Sequence, residues 1–144
     1  MARRPAHRWL ITMLVAAVSF QLHAQIPVPY ERLLNVAKEP QNYLIYGGDY
    51  FSSRYSQLTQ LTPANVKNLN LGWVYQSPVA GSWEPTPIVA DGIMYLTQRP
   101  NDVIALVATT GRAFWTYRYN NAPQLNVCCG SNNRGLAILG DALQ

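Results

Sequence analysis

Past its first two dozen residues, this 144-residue sequence is predicted to be all-β, on three observations. Leu69, Leu71, Trp73 and Tyr75 alternate with polar or small residues over most of Leu69 to Gln76, the period of a half-buried strand. Asp91-Gly92 separates two short apolar runs, Pro87 to Ala90 and Ile93 to Thr97, as a two-residue hairpin turn does. Thr110-Gly111 separates Val103 to Val107 from Ala113 to Tyr119 in the same manner. Short strands at such spacing belong to a sandwich, a barrel or a propeller. A four-stranded propeller blade takes roughly 40–45 residues, and Leu69 to Tyr119 fits one. Leu136 to Leu139 reads as the opening strand of the next blade, with Gly140-Asp141 as its turn.

The N-terminus is unlike the rest. Arg3, Arg4 and Arg8 precede an uncharged apolar run from Trp9 to Phe20, and small Ala24 follows. A basic start, a short apolar core and a small-residue exit predict a cleaved secretory signal over residues 1–24 and a periplasmic location. The apolar core is shorter than the roughly 20 residues of a membrane span, so no stable span is expected after cleavage. Three of the 11 Lys and Arg lie in this leader, which leaves 8 against 7 Asp and Glu, a net charge of +1. Such a balance gives no basic face for nucleic acid. His7 and His23 also fall in the leader, so no histidine-ligated zinc or haem is expected.

Residues 25–68 are predicted as an extension with short helices. Pro27 and Pro29 keep the chain extended. Leu33, Leu34 and Ala37 share one face of a short helix over Tyr30 to Ala37, ended by Glu39-Pro40. Tyr43 to Tyr46 reads as a short buried strand and Gly47-Gly48-Asp49 as a turn. Thr62-Pro63 opens a second helix, with Thr62 as cap and Pro63 at the first position.

The two cysteines, Cys128 and Cys129, are neighbours. Consecutive Cα atoms are about 3.8 Å apart, below the usual disulfide span. A bond between them closes almost no loop, so it does not stabilise by restricting the unfolded chain. Free thiols, pairing with another chain and a strained vicinal ring all remain open on these residues. A strained ring would persist only where its surroundings over-determine it, as at functional sites.

Three local patterns carry a family resemblance. The first is Tyr46-Gly47-Gly48-Asp49-Tyr50-Phe51-Ser52-Ser53-Arg54-Tyr55-Ser56, with Leu58 and then Leu61-Thr62-Pro63-Ala64-Asn65-Val66 leading to Leu71-Gly72-Trp73. The second is Glu84-Pro85-Thr86-Pro87-Ile88-Val89 with Asp91-Gly92-Ile93-Met94-Tyr95. The third is Cys128-Cys129 followed by Asn133-Arg134-Gly135. Together they resemble the quinoprotein alcohol dehydrogenases, which use pyrroloquinoline quinone (PQQ). The resemblance implies that residues 69–144 are the first one to two blades of an eight-bladed β-propeller, and that the sequence is the N-terminal part of a longer protein. Ala105, Thr110, Gly111 and Trp115 match the blade-locking motif Ala-x-Asp-x-x-Thr-Gly-x-x-x-Trp, with Val107 in place of its Asp. That departure predicts a looser turn, with Trp115 still packing on the next blade.

The site residues follow from the resemblance. Cys128 and Cys129 are expected to form the ring on which one face of the quinone rests. Arg134 is expected beside the quinone oxygens, where a fixed fork of donors suits carboxylates and developing negative charge. Glu84 is expected in the cofactor pocket, and Asn132, with Ser131, as a donor to a cofactor carboxylate. Calcium or a lanthanide and the catalytic aspartate are expected beyond Gln144, so no catalytic or metal residue is assigned here, and the chain alone is not expected to be active. The implied reaction is oxidation of a small primary alcohol to an aldehyde, with electrons passed to cytochrome c. Two rivals are a non-enzymatic envelope propeller serving binding or assembly, and a PQQ-dependent sugar dehydrogenase. The cysteine pair and Arg134 favour the first reading over both.

Overall fold

The computed structural model describes residues 28–120 and 133–139. Four strands form one antiparallel sheet in sequence order: β1 (Ile88–Ala90), β2 (Ile93–Gln98), β3 (Asp102–Val107) and β4 (Ala113–Tyr117). This up-and-down sheet is a propeller blade in form. Asp91 and Gly92 connect β1 to β2 with φ of 47° and 84°, the paired left-handed residues that a two-residue hairpin requires. Ala90 pairs with Ile93 across that turn, and Ile88 with Tyr95. Between β3 and β4 the register shifts at Ala105/Leu106. Ala105 faces Trp115 and Leu106 faces Ala113, so Phe114 is the extra residue of a bulge.

The turn after β3 is closed despite Val107. The amides of Thr110 and Gly111 both donate to the Val107 carbonyl (3.1 and 2.8 Å), and Val107 N donates to Arg112 O (2.9 Å). Backbone groups thus close the turn without an aspartate. Gly111 has φ 67°, and a Cβ there would fall on the Trp73 indole. The turn therefore needs glycine for conformation and for close approach. Trp73 Nε1 completes the contact by donating to Ala108 O (3.0 Å).

Cross-strand partners share a face, which sorts the core into two layers. Leu96, Ile104 and Leu106 are buried on one face, covered by Trp73, Tyr75 and Met94. Ala90 lies on the other with Val28 and Leu44, packed by Leu33, Val36, Tyr95 and Ile138. Leu69 to Gln76 is thus not a strand of this blade, contrary to expectation. It runs over the first face, from Trp73 at the β3–β4 turn to Ser77, whose hydroxyl donates to Gln98 Oε1 at the end of β2 (2.9 Å). Trp73 and Tyr75 point inward, while Leu69 and Leu71 are exposed. Alternation sets facing, but a strand also needs a neighbour for its amides and carbonyls, and the segment crosses a face rather than an edge.

The N-terminal extension packs on the second face. Helix α1 (Tyr30–Leu34) continues into a 3-10 turn, Val36–Lys38, close to the predicted helix. The predicted strand at Tyr43 reduces to one bridge on the edge of β1: Tyr43 N donates to Val89 O (2.7 Å) and Val89 N to Tyr43 O (2.9 Å). The predicted second helix reduces to a 3-10 turn, Val66–Asn68. Thr62 does not cap it; instead Thr62 N donates to Asn65 Oδ1 (2.7 Å). Asp49 organises the loop before it, accepting from the Phe51 and Ser53 amides and from the Ser53 hydroxyl (2.6 Å). Leu136 to Leu139 is extended but joins no ladder among the described residues; Ile138 serves as a core contact on the second face.

Arg32 fastens the extension to the blade. Its guanidinium meets Glu39 (Nη2–Oε2, 2.6 Å) and Asp91 in the β1–β2 turn (Nη2–Oδ1, 2.8 Å). Asn42 closes the cluster, donating to Glu39 Oε2 (2.7 Å) and accepting from Asp91 N (3.0 Å). Hydrogen bonds from Arg32 hold the carboxyls of Glu39 and Asp91 below their ordinary range and raise the Arg32 pKa further still.

Candidate cofactor site

Glu84 stands in the Pro-rich approach to β1, between Trp83 and Pro85. Pro85 and Pro87 restrict that approach to extended backbone. Arg134 arrives from a separate segment, 50 residues later, and its Nε donates to Glu84 Oε2 at 3.1 Å. Two of the five residues that the family resemblance assigns to the quinone pocket, Glu84 and Arg134, are therefore adjacent. Their side chains are open to solvent, Arg134 at 74% and Glu84 at 40% exposure.

Two backbone anchors bring Arg134 there. Thr86 N donates to Arg134 O (2.9 Å). The Thr97 hydroxyl, on β2, donates to Asn133 O (2.5 Å). The Asn133 side chain then accepts from Gly135 N (3.2 Å), which fixes the turn that carries Arg134 outward. Trp83, Glu84, Thr97, Arg99 and Asn133 line a small cleft at this point. Larger hollows of about 140 and 390 Å³ lie along the N-terminal extension and contain none of the expected site residues.

Cys128, Cys129 and Asn132 lie outside the described residues. Thr97 was not singled out by sequence. Its alternation with Leu96 and Gln98 marks only which face it occupies, and a hydroxyl pointing inward looks in sequence like any strand threonine.

Among the described site residues, Arg134 is the one that offers charged donors, the kind that suit carboxylate oxygens. A guanidinium supplies fixed donors and a permanent charge for carboxylate and quinone oxygens. Glu84 holds that guanidinium by its Nε. Among the described residues, no group of three His, Cys, Asp or Glu side chains is placed to hold a metal ion. No helix among them is long and apolar enough to cross a membrane.

Residues 43–143 match the PQQ family model described as glucose/ethanol/alcohol dehydrogenase, beta-propeller domain. The quinohemoprotein alcohol dehydrogenase ADH-IIG of Pseudomonas putida is 38% identical over 121 residues, covering 81% of this chain and 17% of that protein. Its solved structure from strain HK5 superposes with a TM-score of 0.71, covering 80% of this chain and 17% of that one, at 38% identity. The 1-butanol dehydrogenase (cytochrome c) of Thauera butanivorans is 41% identical over 95 residues, covering 65% of this chain and 14% of that protein. The lanthanide-dependent methanol dehydrogenase of Methylorubrum extorquens is 35% identical over 117 residues, covering 78% of this chain and 20% of that protein. The chain thus spans a fifth or less of the length of these relatives. The four-stranded blade and the match over most of the sequence agree: this chain belongs to the PQQ glucose/ethanol/alcohol dehydrogenase family, within its β-propeller domain.

Proposed function

We propose that the whole protein is a periplasmic PQQ-dependent alcohol dehydrogenase, oxidising a small primary alcohol to an aldehyde and passing the electrons to cytochrome c. The observation that carries this reading is the Arg134–Glu84 pair at 3.1 Å. It sits in a family whose members include alcohol dehydrogenases, one of them named for cytochrome c. PQQ, when bound, supplies the two-electron acceptor that no amino-acid side chain provides. Arg134 would hold its oxygens and stabilise negative charge that develops there. Glu84 would keep the guanidinium in its working orientation. Cys128 and Cys129, joined as a vicinal ring, would form the floor of the pocket, with Asn132 donating to a carboxylate at its edge. A calcium or lanthanide ion would be held by residues beyond Gln144; the methanol-oxidising relative is lanthanide-dependent. A cleaved leader over residues 1–24, suggested by the basic start and apolar run there, would account for that location.

The test is to express the chain with whatever its gene encodes after Gln144, add PQQ with calcium or a lanthanide, and supply primary alcohols with an artificial electron acceptor. Alcohol-dependent reduction of the acceptor is the expected result. Binding of PQQ without turnover of any short alcohol, or oxidation of sugars alone, would overturn the substrate assignment. Failure to bind PQQ would overturn the whole reading.

A further inference from the structure

We infer that Thr97 is a positioning residue for Arg134, an inference that rests on the reading above of Arg134 as a quinone contact. Arg134 is three-quarters exposed, so packing does not fix its side chain. Its placement has to come from its backbone and from Glu84. That backbone is anchored at two consecutive carbonyls. Arg134 O is held by Thr86 N, two residues from Glu84, and Asn133 O is held by the Thr97 hydroxyl at 2.5 Å.

Thr97 is suited to this role. It is 1% exposed and lies in the middle of the blade, paired with Val103 on β3. Val103 is in turn paired with Tyr117 on β4, so β2 is an inner strand of the sheet. A β-branched side chain on a paired strand has few rotamers, so its hydroxyl is presented at a fixed point. The bond spans 36 residues and joins two segments that are not hydrogen-bonded as strands. Without that hydroxyl, the Asn133 carbonyl loses the donor that ties it to β2. Of the two hydrogen bonds that tie the backbone at Asn133 and Arg134 to the β1–β2 part of the blade, only that from Thr86 N would remain. The guanidinium would sample more positions, and a ligand would have to select the right one at a cost in affinity.

The experiment compares Thr97→Val, which keeps the shape without the donor, with Thr97→Ser, which keeps the donor without the methyl. Both are made in the chain with whatever its gene encodes after Gln144. Apoprotein is titrated with PQQ in calcium buffer and followed by tryptophan fluorescence. Losing one hydrogen bond of this kind predicts that Thr97→Val binds PQQ about tenfold more weakly, while Thr97→Ser stays within about twofold of wild type. Amide hydrogen exchange supplies a second readout that needs no quinone: the Thr86 amide should exchange about tenfold faster in Thr97→Val, with the β3 amides unchanged. Equal PQQ affinity in Thr97→Val and wild type, or a Thr97→Ser protein as weak as Thr97→Val, would overturn the inference. So would an unchanged Thr86 amide. A wild-type protein that binds no PQQ would sink the functional reading, while the exchange arm still decides whether Thr97 holds the Arg134 turn. Should Thr97→Val not fold, Thr97→Ala against Thr97→Ser makes the same comparison.

Discussion

Arg32 and Arg134 each pair with acid from a distant part of the chain, yet they are built differently. Arg32 is gripped by two carboxylates, its Nε and Nη2 on Glu39 and its Nη1 and Nη2 on Asp91, and its side chain is 20% exposed. Arg134 meets Glu84 through Nε at 3.1 Å with its side chain 74% exposed. The first pair has its donors and charge consumed by the protein, which is how a structural clamp looks. The second leaves most of a guanidinium facing outward, beside a cleft, on a backbone that is itself tied down. An exposed ion pair of that kind adds little to stability, which agrees with the proposed role of Arg134 in binding.

The largest effect should therefore come from Arg134, and on binding alone. Replacing Arg134 with Met should weaken PQQ about 100-fold, the loss of charge-assisted hydrogen bonds worth about 2–3 kcal/mol. The melting temperature should stay close to wild type. Arg134→Lys should fall between them, since it keeps the charge without the planar fork. A titration of the apoprotein alongside a thermal melt checks both. A large drop in melting temperature with unchanged PQQ affinity would make Arg134 a second clamp and erase the distinction.

How much of this was legible in the sequence depends on how local the determining physics is. Asp91-Gly92 and Thr110-Gly111 announced their turns because the needed backbone angles belong to those residues themselves. The alternation at Trp73 and Tyr75 gave the correct inward side, yet not the pairing, because a ladder partner lies elsewhere in the chain. Thr62-Pro63 carried a helix-start signal, but the segment forms only Val66–Asn68, and its apolar Leu61, Val66 and Leu69 are exposed rather than packed among the described residues. Glu84 and Arg134 were found only through the family resemblance, as no spacing rule joins residues 50 apart. Thr97 was invisible because its role lies in where its hydroxyl points.

Breaking the other clamp should give a moderate effect of the opposite kind. Arg32→Met leaves Glu39 and Asp91 facing one another without their cation, at a cost of about 1–2 kcal/mol for a partly exposed network. The Val89 amide, bonded to Tyr43 beside the clamp, should then exchange about 5–30-fold faster, with PQQ affinity unchanged. The same clamp sets an acid limit. Arg32 lowers the carboxyl pKa values of both Glu39 and Asp91. Groups lowered on folding contribute stability that is complete above their unfolded values, about 4, and lost as pH falls through the folded ones. Wild type should therefore lose Val89 protection more steeply than Arg32→Met between about pH 4 and the lower folded values. Parallel acid profiles for the two proteins would remove Arg32 as the cause.

The smallest change separates charge from geometry within that clamp. Asp91 has φ 47° and a side chain 44% exposed, so it combines a turn role with an ionic one. Asparagine tolerates left-handed backbone and keeps one oxygen for Arg32, so Asp91→Asn removes the charge and one of the two acceptors that Nη1 and Nη2 use. The expected loss is about 0.5 kcal/mol, in line with a partly solvated ion pair, read as roughly a twofold rise in Val89 exchange. Asp91→Ala also removes the acceptor and puts a Cβ-bearing residue without local hydrogen bonding at positive φ, so it should cost more. If Asp91→Asn were as damaging as Arg32→Met, the clamp would rest on the charge of Asp91. If Asp91→Asn were silent while Arg32→Met was not, the grip on Arg32 would lie with the Glu39 carboxylate, which is less exposed and meets it at 2.6 Å.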